Sequence, residues 1–328
     1  MAAAPPATEE SPVSYEELND LNAEFDDAET ELIRQEVVVK RPLYEKRHKI
    51  VSQIPNFWPL VFEQAPPDID EFIQPSDSSL LLTYLTSLSV TRFEIEDGKK
   101  GDPRSLCFRF EFSDNDHFED KVIEKKFWQR HSKSGWTGLV SEPVEIHWKK
   151  GKDLTGGLLA TVKKVWDAQQ ARGKGGGGKN QALSADEKSL KKKIENTGLG
   201  GLSFFAWFGY VGRNVSAEES QEALDKAQKE RIARQGGKHQ DADVEDEKEE
   251  EEGDEDEDDE NELEIFPEGD SLAIHISEDL WPNAIKYFTQ AQEQDEVSDD
   301  DFESDADDDN KEDEEVSEEE PPAKRRKT

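Results

Sequence analysis

The first regular hydrophobic pattern in the chain runs from about residue 15 to residue 54. Its key positions recur at alternating spacings of three and four residues, and the positions between them are mostly charged or polar: Leu18, Leu21, Phe25, Ala28, Leu32, Gln35 and Val39. This heptad pattern is typical of a helix whose narrow apolar stripe packs against another helix.

A continuous helix of about 40 residues would be about 60 Å long, which exceeds the width of a small domain. We therefore expect the helix to pair with a second copy of itself in a two-fold homodimer, with Leu18, Leu21, Phe25, Leu32 and Val39 carrying the dimerisation contacts. The alternative is an amphipathic helix that packs on the following domain of its own chain. Pro42 lacks a backbone donor and follows a β-branched run, so a kink or a division into two helices is predicted there.

Beyond residue 55 the pattern indicates helices followed by strands. Ser76 is a predicted N-cap for a helix through LLLTYLTSL, after which alternation begins at residue 88. Four strands are predicted at 88–95, 105–112, 121–128 and 143–148. In the second strand Leu106, Phe108, Phe110 and Phe112 share one face and Cys107, Arg109 and Glu111 the other, and in the fourth strand Val144, Ile146 and Trp148 share a face. The fold class is therefore α+β, with a four-stranded antiparallel sheet packed on helices.

The second half of the chain is less regular. Residues 149–202 read as an elaborated loop or hairpin that protrudes from the sheet, with helical patterns at 158–171 and 184–194. The aromatic segment 203–212 is expected in the core, and Ser216 with Glu219 forms a capping box that opens a helix to about Arg234. The SLAIHI segment, 271–276, is predicted to close the domain as a strand, followed by a helix that packs through Trp281, Ile285 and Phe288.

Charge is distributed very unevenly along the 328 residues. The net charge is −38, and two tracts, 241–262 and 295–320, each hold 17 acidic residues and one lysine, a net of −16 apiece. Such tracts bury too little apolar surface to fold and are predicted to be disordered. A polyanion of this density repels nucleic acid and attracts polycationic proteins, so binding is favoured over a merely solubilising role. Candidate binding carboxylates in the tracts are Glu249, Glu250, Glu251, Asp256, Asp258, Asp299, Asp300 and Asp301.

Two short signals lie in the C-terminal region. Lys324, Arg325, Arg326 and Lys327 beside proline form a nuclear-import pattern. Ser298, Ser304 and Ser317 each precede an acidic residue by three positions, a pattern that acidophilic kinases favour, and phosphorylation would add about −2 per site.

Several functional classes find no support in the sequence. Cys107 is the only cysteine, which excludes a disulfide framework and a cysteine-rich zinc site. The six histidines lack metal-ligand spacing, and no apolar run approaches the length of a membrane span. The GKGGGGKN segment, Gly173 to Asn180, resembles a phosphate-binding loop but has asparagine where serine or threonine would bind magnesium, so a flexible linker is the better account. We predict no enzyme activity and no cofactor.

Six segments resemble, in order, the nucleosome assembly protein family, and in their spacing its SET branch. They are RPLYEKRHKIVSQIPNFWPLVF (41–62), YLTSLSVTRFE (84–94), FRFEFSDNDHFEDKVIEKKFW (108–128), EPVEIHWKKGKDLT (142–155), SFFAWF (203–208) and EDLWPNAIKYF (278–288). The resemblance implies a long dimerising helix, an α+β "earmuff" domain and histone-chaperone activity through acidic surfaces and tails. It also marks Glu111, Asp114, Asp116, Glu119 and Asp120 as histone-binding candidates, although they are equally well explained as a solvated edge of the sheet.

The predicted organisation follows from these observations. It comprises a disordered segment 1–13, the dimerisation helix 14–54, an earmuff domain 55–240 with the loop 149–202, an acidic insertion 241–262, a closing strand and helix 263–293, and an acidic tail 294–328. The predicted function is a nuclear histone chaperone, shuttling with the cytoplasm, that binds core histones as a homodimer and recognises no specific nucleic-acid sequence. The alternatives are an acidic adaptor or inhibitor of an enzyme, such as a phosphatase or a histone acetyltransferase, and a nucleotide-driven remodeller that rests only on the glycine-rich segment.

Overall fold

The computed structural model describes residues 14–172, 183–197, 201–235 and 263–294. Its first element is α1 (Tyr15–Val51), a single helix of 37 residues that starts with a reciprocal capping box between Ser14 and Glu17. The helix continues through Pro42, so the alternative of two separate helices is wrong. A proline removes one hydrogen bond of the helical ladder, but the turns on both sides keep theirs. A bend at this residue stays a prediction.

One face of α1 packs on the body of the protein near its C-terminal end. Arg47 is buried there, and its Nη1 donates to the Trp281 carbonyl at 2.5 Å. The guanidinium also lies 4.5 Å from the centre of a Trp281 ring, and burial lowers the pKa of Arg47 to about 10. These contacts orient the long helix on the domain that follows it.

Three short helices connect α1 to the sheet: α2 (Phe57–Glu63), α3 (Pro67–Asp70) and α4 (Pro75–Tyr84). The predicted N-cap at Ser76 is wrong, because Pro75 occupies the first helical position and Gln74 is the cap. The helix also ends earlier than predicted, since the strand already begins at Leu85. The Asp77 carboxylate is buried and accepts hydrogen bonds from the Ser203 hydroxyl and the Phe204 amide, at 2.6 and 2.8 Å, which fastens α4 to the aromatic segment.

The sheet is an antiparallel meander of four strands in the order β1 (Leu85–Thr91), β2 (Leu106–Phe112), β3 (Val122–His131) and β4 (Thr137–Ser141). The predicted four-stranded antiparallel sheet is confirmed, but the prediction of 143–148 as its last strand is wrong. That segment forms one isolated bridge, between Phe118 and Trp148. Pro143 cannot donate to a ladder, and the Val144 amide donates instead to the Phe208 carbonyl at 2.8 Å.

The inner face of β2 is the centre of the hydrophobic core. Leu106, Phe108, Phe110 and Phe112 are all buried, as their alternation predicts, and Arg109 and Glu111 on the other face stay partly exposed. The 3₁₀ segment Phe204–Gly209 lies against this face and is completely buried, which confirms the predicted aromatic core. Trp207 packs against five aromatic side chains: Phe108, Phe110, Phe127, Phe204 and Phe208.

Two predicted helices of the 149–202 region are present as α5 (Leu158–Arg172) and α6 (Ala185–Thr197), which pack against each other. The region is not purely a protrusion. Leu158, Leu159, Val162 and Val165 are buried in the main core because they recur at helical spacing on one face of α5.

The helix predicted after Ser216 is α7 (Ala217–Gln235), and the Ser216 hydroxyl accepts from the Glu219 amide at 3.1 Å as a cap should. Near its other end, α7 is tied to α1 by two ion pairs. Arg231 reaches Asp27 at 2.8 Å, and Arg234 reaches Asp20 at 2.7 Å.

The chain closes the domain with helices. The closing strand predicted at 271–276 is wrong, because these residues lie in α8 (Gly269–His275) and in the π-helical turn Ile276–Leu280 that follows it. Their buried residues follow a helical spacing: Leu272, Ala273, Ile276 and Leu280. The last helix is α9 (residues 284–294). Trp281, in the turn before it, and Phe288 pack on the core as predicted, whereas Ile285 is exposed because Ala284, Tyr287 and Ala291 form the inward face.

Candidate functional site

A long apolar stripe on α1 is exposed to solvent in the single chain. The five predicted dimerisation residues Leu18, Leu21, Phe25, Leu32 and Val39 are between 49% and 68% exposed. Leu43 and Ile50 extend the stripe beyond Pro42, because an uninterrupted helix keeps them on the same side. In the heptad register of Leu18 to Val39 these two residues fall one position out, and only the continuity of the helix brings them in. From Leu18 to Ile50 the stripe is about 50 Å long.

Polar contacts with the rest of the chain fix the other sides of the same helix. Besides the two ion pairs with α7, the Arg34 guanidinium donates to the Gly101 carbonyl at 2.7 Å and Arg104 reaches Asp26 at 2.8 Å. The chain's own domain therefore holds α1 by its inner and flanking faces. The apolar stripe points away from these contacts, which is the geometry that a partner helix requires.

The five carboxylates marked by the resemblance lie at the end of β2 and in the turn before β3. The turn is built around Asn115, whose side-chain oxygen accepts from the His117 and Phe118 amides at 2.8 Å. Three of the five, Asp114, Glu119 and Asp120, line one shallow groove together with Lys121 and Lys149, whereas Glu111 and Asp116 are not part of its lining.

Three of these five carboxylates already have cationic or histidine partners within the chain. Asp114 pairs with Lys121 at 3.2 Å, and Glu111 pairs with Arg109. The Asp120 carboxylate accepts from the His147 amide at 2.7 Å and contacts the His147 ring at 2.8 Å. Asp116 and Glu119 are exposed. The turn therefore offers less uncompensated negative charge than its sequence indicates.

The contact with Asp120 leads to a titration prediction. The hydrogen bond and the negative charge of Asp120 raise the pKa of His147 from its ordinary value of 6.5. Since the folded pKa lies above the unfolded one, this interaction stabilises the fold below pH 6.5 and is lost as the pH rises through the folded pKa. We expect the His147 ring resonances in NMR to titrate above pH 6.5 and to return towards 6.5 in Asp120→Asn. An unchanged His147 titration in the variant would contradict the assignment.

The remaining predicted site residues lie outside the described part of the chain. These are the carboxylates of the two acidic tracts from Glu249 to Asp258 and from Asp299 to Asp301, the serines Ser298, Ser304 and Ser317, the basic cluster Lys324–Lys327 and the glycine-rich segment 173–180. Within residues 14–172, 183–197, 201–235 and 263–294, no group of three histidine, cysteine or acidic side chains is placed to hold a metal ion. No helix in these ranges is long and apolar enough to cross a bilayer.

The chain thus combines an α+β domain, a long helix with an uncovered apolar stripe and a strongly acidic composition. The family model for nucleosome assembly proteins (NAP) matches residues 46–291, which is most of the chain. The chain therefore belongs to the nucleosome assembly protein family, whose members are histone chaperones without enzymatic activity and typically form dimers. The predicted family membership and α+β fold are confirmed.

Curated relatives align over most of the chain. A Schizosaccharomyces pombe protein assigned to the nucleosome assembly proteins is 27% identical over 302 residues, which cover 89% of this chain and 85% of the relative. NAP1-related protein 2 of Arabidopsis thaliana is 27% identical over 281 residues, which cover 85% and 75%. Protein SET of Drosophila melanogaster is 32% identical over 148 residues, covering 43% of this chain and 51% of the relative.

Solved structures with similar folds include Ccp1 and the Vps75 histone chaperone. The Ccp1 crystal structure is 25% identical, with a TM-score of 0.47, and the alignment covers 85% of this chain and 95% of Ccp1. Vps75 is 21% identical with a TM-score of 0.48, and the alignment covers 84% of this chain and 97% of Vps75.

Proposed function

We propose that this protein acts as a homodimer, paired through the α1 stripe, that binds core histones mainly through its two acidic tracts. The observation that carries the proposal is the distribution of charge. The tracts 241–262 and 295–320 each have a net charge of −16, while the remaining residues together have only −6. Histones are strongly cationic, and the tracts supply the highest density of negative charge in the chain.

The proposed mechanism is reversible ion exchange. Carboxylates replace DNA phosphates as the counterions of histone lysines and arginines, so that histones are shielded from uncontrolled aggregation with DNA and can be released to it. No nucleotide is consumed, because the competition between two polyanions is reversible. Dimerisation doubles the number of tracts that face one histone complex and so raises avidity.

The turn carboxylates are proposed as a secondary contact. Asp116 and Glu119 are exposed and can meet a histone side chain directly, whereas Asp114 and Asp120 must first give up Lys121 and His147. Exchange of one exposed ion pair for another changes the free energy little, since such pairs are worth about 0–1 kcal/mol. We therefore expect the turn to direct orientation more than affinity.

A pair of charge-neutralised variants tests this assignment. In the first, every Asp and Glu of the two tracts is replaced by Asn or Gln, which preserves the chain length. In the second, the same exchange is made at Glu111, Asp114, Asp116, Glu119 and Asp120. At 0.15 M salt we expect the first variant to bind core histone complexes at least about 100-fold more weakly and the second less than about fivefold, because affinity from many weak ion pairs scales with their number.

Binding is measured by fluorescence titration across a salt series. The unchanged protein should show a steep loss of affinity with salt, and the tract-neutralised protein a shallow one. Equal affinity of the unchanged and tract-neutralised proteins would move the histone site onto the folded domain. If the unchanged protein, in its normal assembly state by sedimentation, binds no core histones at physiological salt, the proposed function is refuted.

Two further assignments accompany the proposal. The basic cluster Lys324, Arg325, Arg326 and Lys327 is proposed to direct nuclear import, and Ser298, Ser304 and Ser317 are proposed phosphorylation sites that increase the charge of the tail.

A further inference from the structure

A basic region lies within this acidic chain, at residues 149–202. It contains 12 lysines and arginines against five acidic residues, a net charge of +7, while the chain as a whole has −38. The segment forms the end of the extended stretch after β4 and the helical hairpin α5–α6. A local excess of this size within a polyanion calls for a physical account.

The described lysines of this region differ in how they are used. Lys163 and Lys164 pair with Asp167 and Asp186 at 2.5 and 2.7 Å, and the Lys193 ammonium donates to the Gly157 carbonyl and the Thr161 hydroxyl at 2.9 and 2.8 Å. The Lys164 and Lys193 contacts join the two helices, whereas the Lys163 pair lies within α5. Four others are exposed and take no part in these contacts: Lys150, Lys152, Lys188 and Lys192.

Two of the exposed lysines precede the hairpin, and the other two lie along α6. The Lys193 contact with Gly157 brings the C-terminal end of α6 beside the N-terminal end of α5, and Lys150 and Lys152 precede that end by only a few residues. Lys188 and Lys192 are four residues apart and therefore share one face of α6. We refer to Lys150, Lys152, Lys188 and Lys192 as the hairpin lysines.

The acidic tract 241–262 rejoins the folded domain next to this same end of the hairpin. Ile265 follows the tract by three residues, and its side chain packs over Gly209. A β-carbon added at Gly209 would lie 2.6 Å from Ile265 Cδ1 and 3.0 Å from Leu159 Cδ1, so these two methyl groups are close neighbours. Leu159 is the second residue of α5. The tract thus ends within a few residues of the base of the hairpin.

We propose that the hairpin lysines are the docking surface for the chain's own acidic tract 241–262, and that they compete with histones for that tract. The charges are complementary, and the tether fixes the tract near its site at an effective concentration in the millimolar range, which a free polyanion does not reach. A stretch of 22 residues spans up to about 70 Å when extended, and α6 is only about 20 Å long, so the reach is sufficient. Duplex nucleic acid is the other polyanion that fits lysines, but the net charge of −38 repels it.

Only the predicted consequence of docking, a lowered histone affinity, rests on the proposed function. The contact itself can be tested without histones. In the full-length protein, a carbodiimide joins a lysine amine to a carboxylate that lies beside it, and mass spectrometry identifies the pairs. We expect tract carboxylates to couple to the hairpin lysines several-fold more than to the exposed Lys99, Lys100, Lys226 and Lys229, and to lose this preference in 0.5 M salt.

The same comparison can be made with mixed ¹⁴N- and ¹⁵N-labelled protein. If both peptides of each cross-linked pair carry the same isotope, the tract docks within its own chain. Pairs that combine a ¹⁴N peptide with a ¹⁵N peptide overturn docking within a chain, because the tract then comes from the dimer partner. Equal coupling to hairpin and control lysines overturns the proposal. A 20-bp DNA duplex that protects the hairpin lysines while the tract is present also overturns it, in favour of nucleic acid.

A matched pair of variants measures the consequence for histones. The quadruple variant K150Q/K152Q/K188Q/K192Q and the control K99Q/K100Q/K226Q/K229Q both lower the net charge by four. We expect the hairpin variant to bind core histones several-fold more tightly than the control, because its tract is released from self-competition. If the two variants bind histones equally well while the unchanged protein still shows the tract–lysine cross-links, the tract docks on the hairpin lysines but does not compete with histones. Failure of every variant to bind histones would refute the proposed function and leave the cross-linking result standing.

Discussion

Exchange of Phe25 and Leu32 for glutamate is expected to convert the protein from a dimer to a monomer. Both side chains lie on the exposed α1 stripe, and they are 61% and 63% exposed in the single chain. In a two-fold pair each residue is used twice, so the double variant removes four apolar side chains from the interface. At about 1.5–3 kcal/mol for each buried side chain, the dimer loses at least about 6 kcal/mol, or about four orders of magnitude in its dissociation constant.

Sedimentation velocity at micromolar concentration measures this directly. The matched control is Val38→Glu, because Val38 is equally exposed on α1 but lies off the stripe. The control should remain a dimer, and circular dichroism should show that the domain of the double variant stays folded. A double variant that sediments with the unchanged protein would mean that α1 does not form the interface.

Replacement of Trp207 by alanine is expected to be the most destabilising single change in the folded domain. The side chain is completely buried among five aromatic rings, and its Nε1 donates to the Gly269 carbonyl at 2.7 Å. Removal of a buried tryptophan costs about 3–5 kcal/mol, and the unpaired carbonyl adds about 1–3 kcal/mol. Because domains are stable by only about 5–15 kcal/mol, the variant should be partly unfolded at 37 °C.

Urea unfolding followed by circular dichroism provides the measurement. Trp207→Phe keeps an aromatic ring but loses the hydrogen bond to Gly269, and it should fall between the alanine variant and the unchanged protein. Trp166→Ala, at a half-buried position on α5, controls for tryptophan removal and should cost about 1 kcal/mol. If the urea midpoint of Trp207→Ala equals that of Trp166→Ala within error, the role assigned to Trp207 in the core is refuted.

The same residue connects two parts of the chain that the acidic insertion separates. Trp207 lies in the aromatic segment before the insertion, and Gly269 begins α8 after it. Glu264 makes a second connection, since its carboxylate accepts from the Val211 and Gly212 amides at 2.9 Å. The segment that follows the insertion is therefore fixed to the core, so neutralisation of the insertion should not unfold the domain.

The alternation of apolar and polar residues was sufficient to predict β2. The same kind of pattern did not locate the last strand of the sheet. Phe108, Phe110 and Phe112 alternate with polar residues, and the strand buries them as expected. The segment 143–148 alternates as well, but Pro143 and a hydrogen bond to Phe208 exclude it from the ladder. The actual β4, TGLVS, has a glycine and only two strongly apolar residues, a composition too weak to compete with its neighbour in a prediction.

The segment 271–276 was predicted as a strand but is helical. SLAIHI is a short apolar run that strand and helix accommodate equally well, and its length does not decide between them. The helix is preferred because Leu272, Ala273 and Ile276 then all reach the core from one side. Burial by the surrounding elements, and not local propensity, determines this segment.

The sequence by itself determined the heptad stripe of α1, the aromatic core segment, the two concentrations of acidic charge and the family, because spacing, composition and charge are properties of the chain that no contact alters. Only the tertiary structure decided that Leu43 and Ile50 join the stripe, that Asp114 and Asp120 are already paired with Lys121 and His147, and that Ile265, just after the acidic insertion, lies beside Leu159 at the start of α5. Each of these depends on distances between residues far apart along the chain. Such distances are set by how the helices and the sheet bury their apolar faces against one another, which a one-dimensional pattern does not contain.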